Sequence, residues 1–226
     1  MHFIFTFIMM ISITEENYLK AIYSLTQSAN GRVGNQLIAE KLAVNPASVT
    51  DMLRKLDEKS WIEYSRTEGV KLTKEGFKLA FKVVRKHRLW ETFLVEHLNF
   101  TWAEVHEVAE QLEHIQSDKL SDELDIFLGN PKFDPHGDPI PDRNGKLHVI
   151  RSRPLSEAET GKRLKVVKVA DNTASFLKYL DRQGIGLGDM VLILEVLDFD
   201  KSLLVQLKGK QEVYLSAEAA KKILVE

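Results

Sequence analysis

The 226-residue chain contains no cysteine, which removes disulfides, thiolate metal sites and cysteine nucleophiles together and suits a reducing cytoplasm. No apolar run approaches the length of a membrane span, so no membrane partner is expected. P-loop, dinucleotide fingerprint, serine elbow and zinc-hydrolase HExxH patterns are all missing, which leaves no expected catalytic residue and no small organic substrate. A charge excess of one sign is absent too. With 31 Lys+Arg against 33 Asp+Glu the formal charge is -2, which excludes a broadly cationic coat but leaves room for a local basic patch. At 44% hydrophobic and 28% charged residues, the chain reads as an ordered protein of one large or two small domains. The opening run MHFIFTFIMMISIT is apolar, yet it has neither a basic n-region nor a cleavage site. For residues 1–9 an upstream start is the preferred reading, with an extra strand or arm as the rival.

After that run the chain becomes periodic. Thr14 is expected to cap a helix through EENYLKAIYSL, with Glu15 and Glu16 in its first turn. VGNQLIAEKLAVNPASVTDMLRKLDEKSWI reads as two short helices around a tight turn at Ala43–Asn45. Asn45 is the natural cap, and Pro46 fits the first position of the second helix. Leu37, Ile38 and Leu42 are expected to pack one helix, and Val49, Leu53 and Leu56 the other. Ala47, Ser48, Thr50, Asp51 and Arg54 then face outward, where small side chains permit close approach to base edges. IEYSRTEGVKLT follows as a hairpin, and a hairpin after a helix-turn-helix is a wing. Arg66 and Lys71 are its expected phosphate contacts, joined by Lys41, Arg54, Lys55 and Arg32. A protein-interaction module would share this outline, but turn, cap, small residues and wing occur here in order.

Thr73 should cap the long helix KEGFKLAFKVVRKHRLWETFLVEHL, Thr101 the helix WAEVHEVAEQLEHIQ, and Ser121 a shorter one, DELDIFL. On the long helix His87 and Glu91 lie four apart. His106, Glu110, Glu113 and His114 form a second stripe at spacings of four, three and one. Glu110, Glu113 and His114 together offer two carboxylates and an imidazole on adjacent turns. His87, Glu91 and His106 form another set, reachable if the two helices pack side by side. Surface ion pairs produce the same spacing. A metal bridging such helices would fix their relative position and so provide a switch. Trp102, Val105, Val108, Ala109, Leu112, Ile115, Leu124 and Phe127 are more apolar surface than two short helices need. A dimer interface would use it, and core packing would account for part of it. NPKFDPHGDPIPDRNG should be irregular. KRLKVVKVA, DMVLILEVLD, SLLVQLKG and KQEVYLS then read as the strands of a small β-barrel, with SAEAAKKILV as a last helical turn. A carboxylate-bridged oxidase usually draws ligands from four helices, so enzyme activity is not expected.

YLKAIYSL, LAVNPASVTDMLRKL, RKHRLWE, VHEVAEQLEH and PHGDPIP, in this order, resemble the diphtheria toxin repressor family of iron- and manganese-dependent transcriptional regulators. The resemblance covers most of the chain from about Thr14. It implies a mainly α fold with a winged helix-turn-helix at 12–75 and a helical metal-binding and dimerisation domain at 76–142. A linker at 143–154 and an SH3-like barrel at 155–226 would complete it. It further implies a homodimer that binds a palindromic, double-stranded operator when loaded with metal. Carried over by motif, the primary metal site would be Glu110, Glu113 and His114 with Asn17. The ancillary site would be His87, Glu91 and His106, with Asn172 and Ser175 as the matching barrel positions and Asp171 a nearby alternative. Iron-responsive members place a Met and a Cys where this chain has Asn17 and Glu110, whereas manganese-responsive members carry Glu at the latter position. Carboxylate in place of sulfur favours a harder ion, so Mn2+ is expected, with Fe2+ the alternative and Zn2+ or Co2+ able to bind in vitro. The ammonium of Lys20 argues against the paired-metal arrangement of the short manganese regulators.

Overall fold

The computed structural model describes residues 11–29 and 31–226; residues 1–9, read above as an upstream start or an added strand, lie outside the described residues. The chain divides into two compact units, 1–85 and 86–226, with the boundary inside one long helix.

The first unit contains α1 (Ile13–Ala29), α2 (Asn35–Leu42), α3 (Pro46–Glu58), β1 (Ile62–Ser65), β2 (Gly69–Leu72) and the beginning of α4 (Lys74–Leu98). α1 is capped two residues ahead of the expected Thr14. The Ser12 hydroxyl accepts from the Glu15 amide (3.3 Å) and the Glu15 carboxylate accepts from the Ser12 amide (3.0 Å), a reciprocal capping box. α2 ends on Ala43 in the left-handed region (φ 53°), and Asn45 starts α3 by accepting from the Ala47 amide at 2.8 Å. Ile38, Val49, Leu53 and Leu56 join Leu19, Ile22 and Val70 in one core. Leu37, expected among them, is 47% exposed, because α2 turns Ile38 and Ala39 inward instead. Asn45→Ala is expected to lower stability by about 1 kcal/mol. Urea unfolding checks this, and an unchanged midpoint would remove Asn45 from the account of the turn.

β1 and β2 pair antiparallel from Ile62↔Leu72 to Ser65↔Gly69, and Val33 bridges to Val70. Gly69 is obligatory at this corner. Its φ is +89°, and a Cβ there would lie 2.4 Å from the Val33 carbonyl oxygen. Thr73 caps α4 by accepting from the Gly76 amide at 3.1 Å.

In the second unit, the rest of α4 packs with α5 (Val105–Leu112) and α6 (Asp118–Phe127). α5 is shorter than expected at both ends. Thr101 spends its hydroxyl on Glu104 (2.7 Å), and the helix stops at Leu112, leaving Glu113 as its C-cap and His114 beyond it. α6 starts earlier than Ser121, because the Ser117 hydroxyl accepts from the Leu120 amide and caps it.

The C-terminal part is a six-stranded antiparallel sheet built from β3 (Arg153–Pro154), β4 (Arg163–Val169), β5 (Met190–Val196), β6 (Leu203–Gln206), β7 (Glu212–Leu215) and β8 (Ile223–Val225). α7 (Ala174–Gln183) and α8 (Ala217–Lys222) accompany it. The strand order is β3-β8-β4-β5-β6-β7, so β3 and β7 are edges and the expected barrel is not closed. β3 has two residues, one a proline without an N–H, too little to pair on both sides. The chain's last run, expected as a helical turn, is α8 followed by β8, which inserts between β3 and β4. Leu164, Val166, Leu180, Ile193, Val205, Leu215 and Ile223 lie in the core of this part. Among the described residues no helix is long and apolar enough to cross a membrane.

Candidate metal centre

α4 carries an unusual load for a buried helix face. His87, Glu91 and, from the end of α5, Glu113 are 6%, 1% and 0% exposed. Burying ionisable groups costs several kcal/mol each unless they meet partners, and here they meet one another. His87 Nε2 lies 2.9 Å from Glu91 Oε1, and its Nδ1 lies 2.6 Å from Glu113 Oε2 and 4.0 Å from Glu110 Oε1. His106 Nδ1 lies 3.2 Å from Glu91 Oε1 and its Nε2 3.5 Å from Glu110 Oε1. His114 Nε2 lies 3.8 Å from Glu113 Oε1. The residues that the motif divides into a primary and an ancillary set therefore form one continuous network meeting at His87. One donor atom from each of His87, His106 and Glu110 falls within 4.8 Å of the others. Donors around one first-row divalent ion stand roughly 3–4.4 Å apart, given bonds of about 2.0–2.2 Å, so this group fits such an ion.

A second group was not expected from the sequence. Glu91, Asp134 and His136 are all buried and offer donor atoms within 4.8 Å of one another. Asp134 Oδ1 accepts from the amides of His136 (2.8 Å) and Asp138 (3.0 Å), which curls the loop so that His136 turns inward. His136 Nε2 donates to the Trp102 carbonyl at 2.8 Å, leaving Nδ1 facing Glu91 Oε2 at 3.6 Å. Burial opposes ionisation of Glu91, but the imidazoles of His106, His136 and His87 beside it hold its carboxyl well below the usual range. Burial also opposes charge on His136, yet Glu91 and Asp134 raise it to about 9. For Asp134, burial and the neighbouring Glu91 and Asp138 carboxylates push it up to about 7, against Arg88 and His136. His136 lies in PHGDPIP and Asp134 immediately before it, in a loop without helical periodicity; the available signal was an Asp and a His two apart in a run rich in proline.

Other named residues fall as follows. Asn17 Oδ1 is buried without a hydrogen-bond partner. Asn172 and Ser175 are exposed, the Ser175 hydroxyl lying 3.3 Å from that of Thr173, and Asp171 is held by Lys222 at 2.8 Å. On α3, Ala47, Ser48, Asp51, Arg54 and Lys55 are exposed, as are Asn45 and Pro46 at its start. Thr50 is half-buried and accepts from Asn35 at 3.1 Å. Arg66 and Lys71 are exposed on the hairpin, with Lys71 2.8 Å from Glu63. Arg32 is turned onto the hairpin itself, bonding the carbonyls of Glu63 and Gly69 and pairing with Glu63 and Glu68. Of the apolar residues weighed for an interface, Val105 and Ala109 pack with Leu94, and Leu124 with Leu89 and Ile140, all within this chain. Trp102 packs against the C-terminal core and Val108 and Leu112 are partly buried, whereas Ile115 and Phe127 are 39% and 63% exposed.

A winged helix and a helical domain with buried imidazole–carboxylate clusters together define a metal-responsive DNA-binding regulator. Residues 10–70 match the iron dependent repressor N-terminal DNA binding domain, 73–142 the iron dependent repressor metal binding and dimerisation domain, and 153–226 the FeoA domain. A manganese-dependent transcriptional repressor in complex with manganese superposes with a TM-score of 0.84 at 34% identity, covering 93% of this chain and 98% of that one. ScaR with bound Zn2+ superposes at 0.76 and 36% identity, with 93% and 98% covered. The iron-dependent repressor IdeR of Mycobacterium tuberculosis (strain ATCC 25618 / H37Rv) is 34% identical over 128 residues, 57% of this chain and 55% of that protein. The chain thus spans about half the length of the curated relatives it matches first. It belongs to the diphtheria toxin repressor family of metal-dependent transcriptional repressors, a family of regulators and not of catalysts.

Proposed function

We propose that the protein is a cytoplasmic, homodimeric repressor of metal-homeostasis genes that binds a palindromic operator when loaded with Mn2+, Fe2+ being the alternative ion. The observation that carries this reading is the network joining buried His87, Glu91 and Glu113 to half-buried His106 and Glu110. So much ionisable side chain in one interior is costly without a cation, and its donors are nitrogen and oxygen only, the set that suits Mn2+ and Fe2+. When bound, an ion held by these residues would supply the positive charge that offsets their carboxylates. Glu110, Glu113 and His114 are the regulatory ligands in this reading. Asn17 remains a donor candidate on the strength of its orphaned buried oxygen. The segments 12–75, 76–142 and 155–226 serve as DNA-binding, metal-binding and dimerisation, and SH3-like domains, with 143–154 linking the last two.

On DNA, exposed Ala47, Ser48 and Asp51 of α3 face base edges, while Arg54, Lys55, Arg66 and Lys71 contact phosphate. The dimer closes through exposed apolar residues of the helical domain, with Ile115 and Phe127 foremost. Operator binding titrated anaerobically with Mn2+, Fe2+ and Zn2+ in parallel tests the switch. Metal is expected to tighten binding roughly 5–150-fold, the usual range for coupled sites. Glu113→Gln and His114→Ala should each remove that response. Equal operator affinity with and without metal would sink the proposal.

A further inference from the structure

The ring of His136 is held in place by the C-terminal part of the chain, through two separate contacts. One acts on the backbone. The amide of Val169, in β4, donates to the His136 carbonyl at 3.0 Å. The next residue, Gly137, has φ +84°, and a Cβ on it would lie 2.1 Å from the Val167 carbonyl oxygen and 2.6 Å from Lys168 Cα. Lys168 Nζ then grips Asp138 at 2.6 Å, and Arg88 of α4 reaches the same carboxylate oxygen from the other side at 3.6 Å. The loop is thereby clasped between α4 and β4. The other contact acts on the imidazole. The Trp102 carbonyl takes the Nε2 proton at 2.8 Å, and the Trp102 indole stacks on the His136 ring at 6.3 Å and 11°. That indole in turn donates from Nε1 to Asp181 of α7 at 2.8 Å.

We propose that Gly137, Trp102 and Asp181 are positioning residues through which β4 and α7 of the C-terminal sheet domain set the donor geometry of His136 toward Glu91. Metal affinity at the Glu91–Asp134–His136 group then depends on a domain that supplies none of those three ligands. A ligating imidazole is ordinarily oriented by what its other nitrogen bonds, and loss of such a partner weakens metal binding about 10–100-fold. Here that partner is a carbonyl whose own residue is tethered to α7. The inference rests on reading Glu91, Asp134 and His136 as metal ligands, and so deepens the proposed function.

The test counts bound Mn2+ per protomer by electron paramagnetic resonance in the full-length protein, without DNA. Gly137→Ala is expected to weaken one class of bound Mn2+ by about 10–100-fold and leave the other within twofold. Asp181→Ala, at an exposed position that leaves the fold intact, should weaken the same class by a smaller factor. Asp181→Asn keeps an acceptor oxygen for the indole N–H and should restore it, a rescue that loss of a merely structural charge would not show. In labelled metal-free protein, the His136 Nε2 resonance should move in Asp181→Ala and return in Asp181→Asn. If Asp181→Ala binds both classes as the wild type does, or if Asp181→Asn fails to rescue, the proposal is overturned, whether or not Gly137→Ala folds. Wild-type protein with no Mn2+ at this group overturns it too, and the operator titration then decides separately whether the switch itself stands.

Discussion

Replacing Glu91 with glutamine is expected to weaken metal binding by more than about 100-fold, beyond the range seen when an outer partner is lost. The reason is the place Glu91 occupies. Its Oε1 faces His87 and His106 at 2.9 and 3.2 Å, while Oε2 faces His136 at 3.6 Å, so this one carboxylate serves both donor groups. An amide of the same shape keeps one neutral oxygen and removes the negative charge that binds a cation. Stability of the metal-free protein should fall as well. Stripping one partner from a buried ion pair costs about 3–5 kcal/mol, and the lower end applies because His136 can shed its proton once the carboxylate is gone. Calorimetric titration with Mn2+ and urea unfolding of the metal-free form read the two effects separately. Binding within fivefold of wild type would mean that Glu91 is not a ligand.

A larger consequence for the DNA-binding unit is expected from a smaller change, Gly76→Ala. In an ordinary helix that exchange gains about 1 kcal/mol. Here the added Cβ would stand 1.8 Å from the Trp61 carbonyl oxygen, and that carbonyl already accepts the Thr73 amide at 3.0 Å. Backbone must therefore move, either the first turn of α4 or the residues leading into β1. Overpacking of this kind costs about 1–3 kcal/mol and occasionally more, so a net loss of about 2–3 kcal/mol is expected despite the propensity gain. Operator affinity should drop with it, because β1 opens the hairpin that carries Arg66 and Lys71. A stability change under about 0.5 kcal/mol would show that the turn gives way freely.

Neither Gly76 nor the second donor group announces itself in the sequence, and the reason is the same. Gly76 matters because of where the Trp61 carbonyl falls, and Glu91 meets Asp134 and His136 only after a loop has folded back across the helix. Both are tertiary facts. The helix-turn-helix was legible because its determinants are local: Asn45 caps within two residues, Pro46 fixes the first helical position, and Val49, Leu53 and Leu56 recur at helical spacing. His87 and Glu91 were legible for that reason too. Helix ends were read less well, because Thr101 and Ser121 each had another use for the hydroxyl, on Glu104 and on the Ser117 carbonyl. Strand content was recognisable from β-branched runs, but closure of the sheet depended on β3, too short to show a period.

Arg32 gives the hairpin a property that bears on recognition. By bonding the Glu63 and Gly69 carbonyls and pairing with Glu63 and Glu68, it holds both strands in place before any nucleic acid arrives. Ordering a free loop on a partner costs conformational entropy at the moment of association, about 0.5–1.5 kcal/mol for each immobilised side chain. A buttressed wing has met most of that cost during folding. The guanidinium used in this way is committed to the protein, so in the proposed operator complex Arg32, named above as a phosphate contact, is expected to act through rigidity more than through charge.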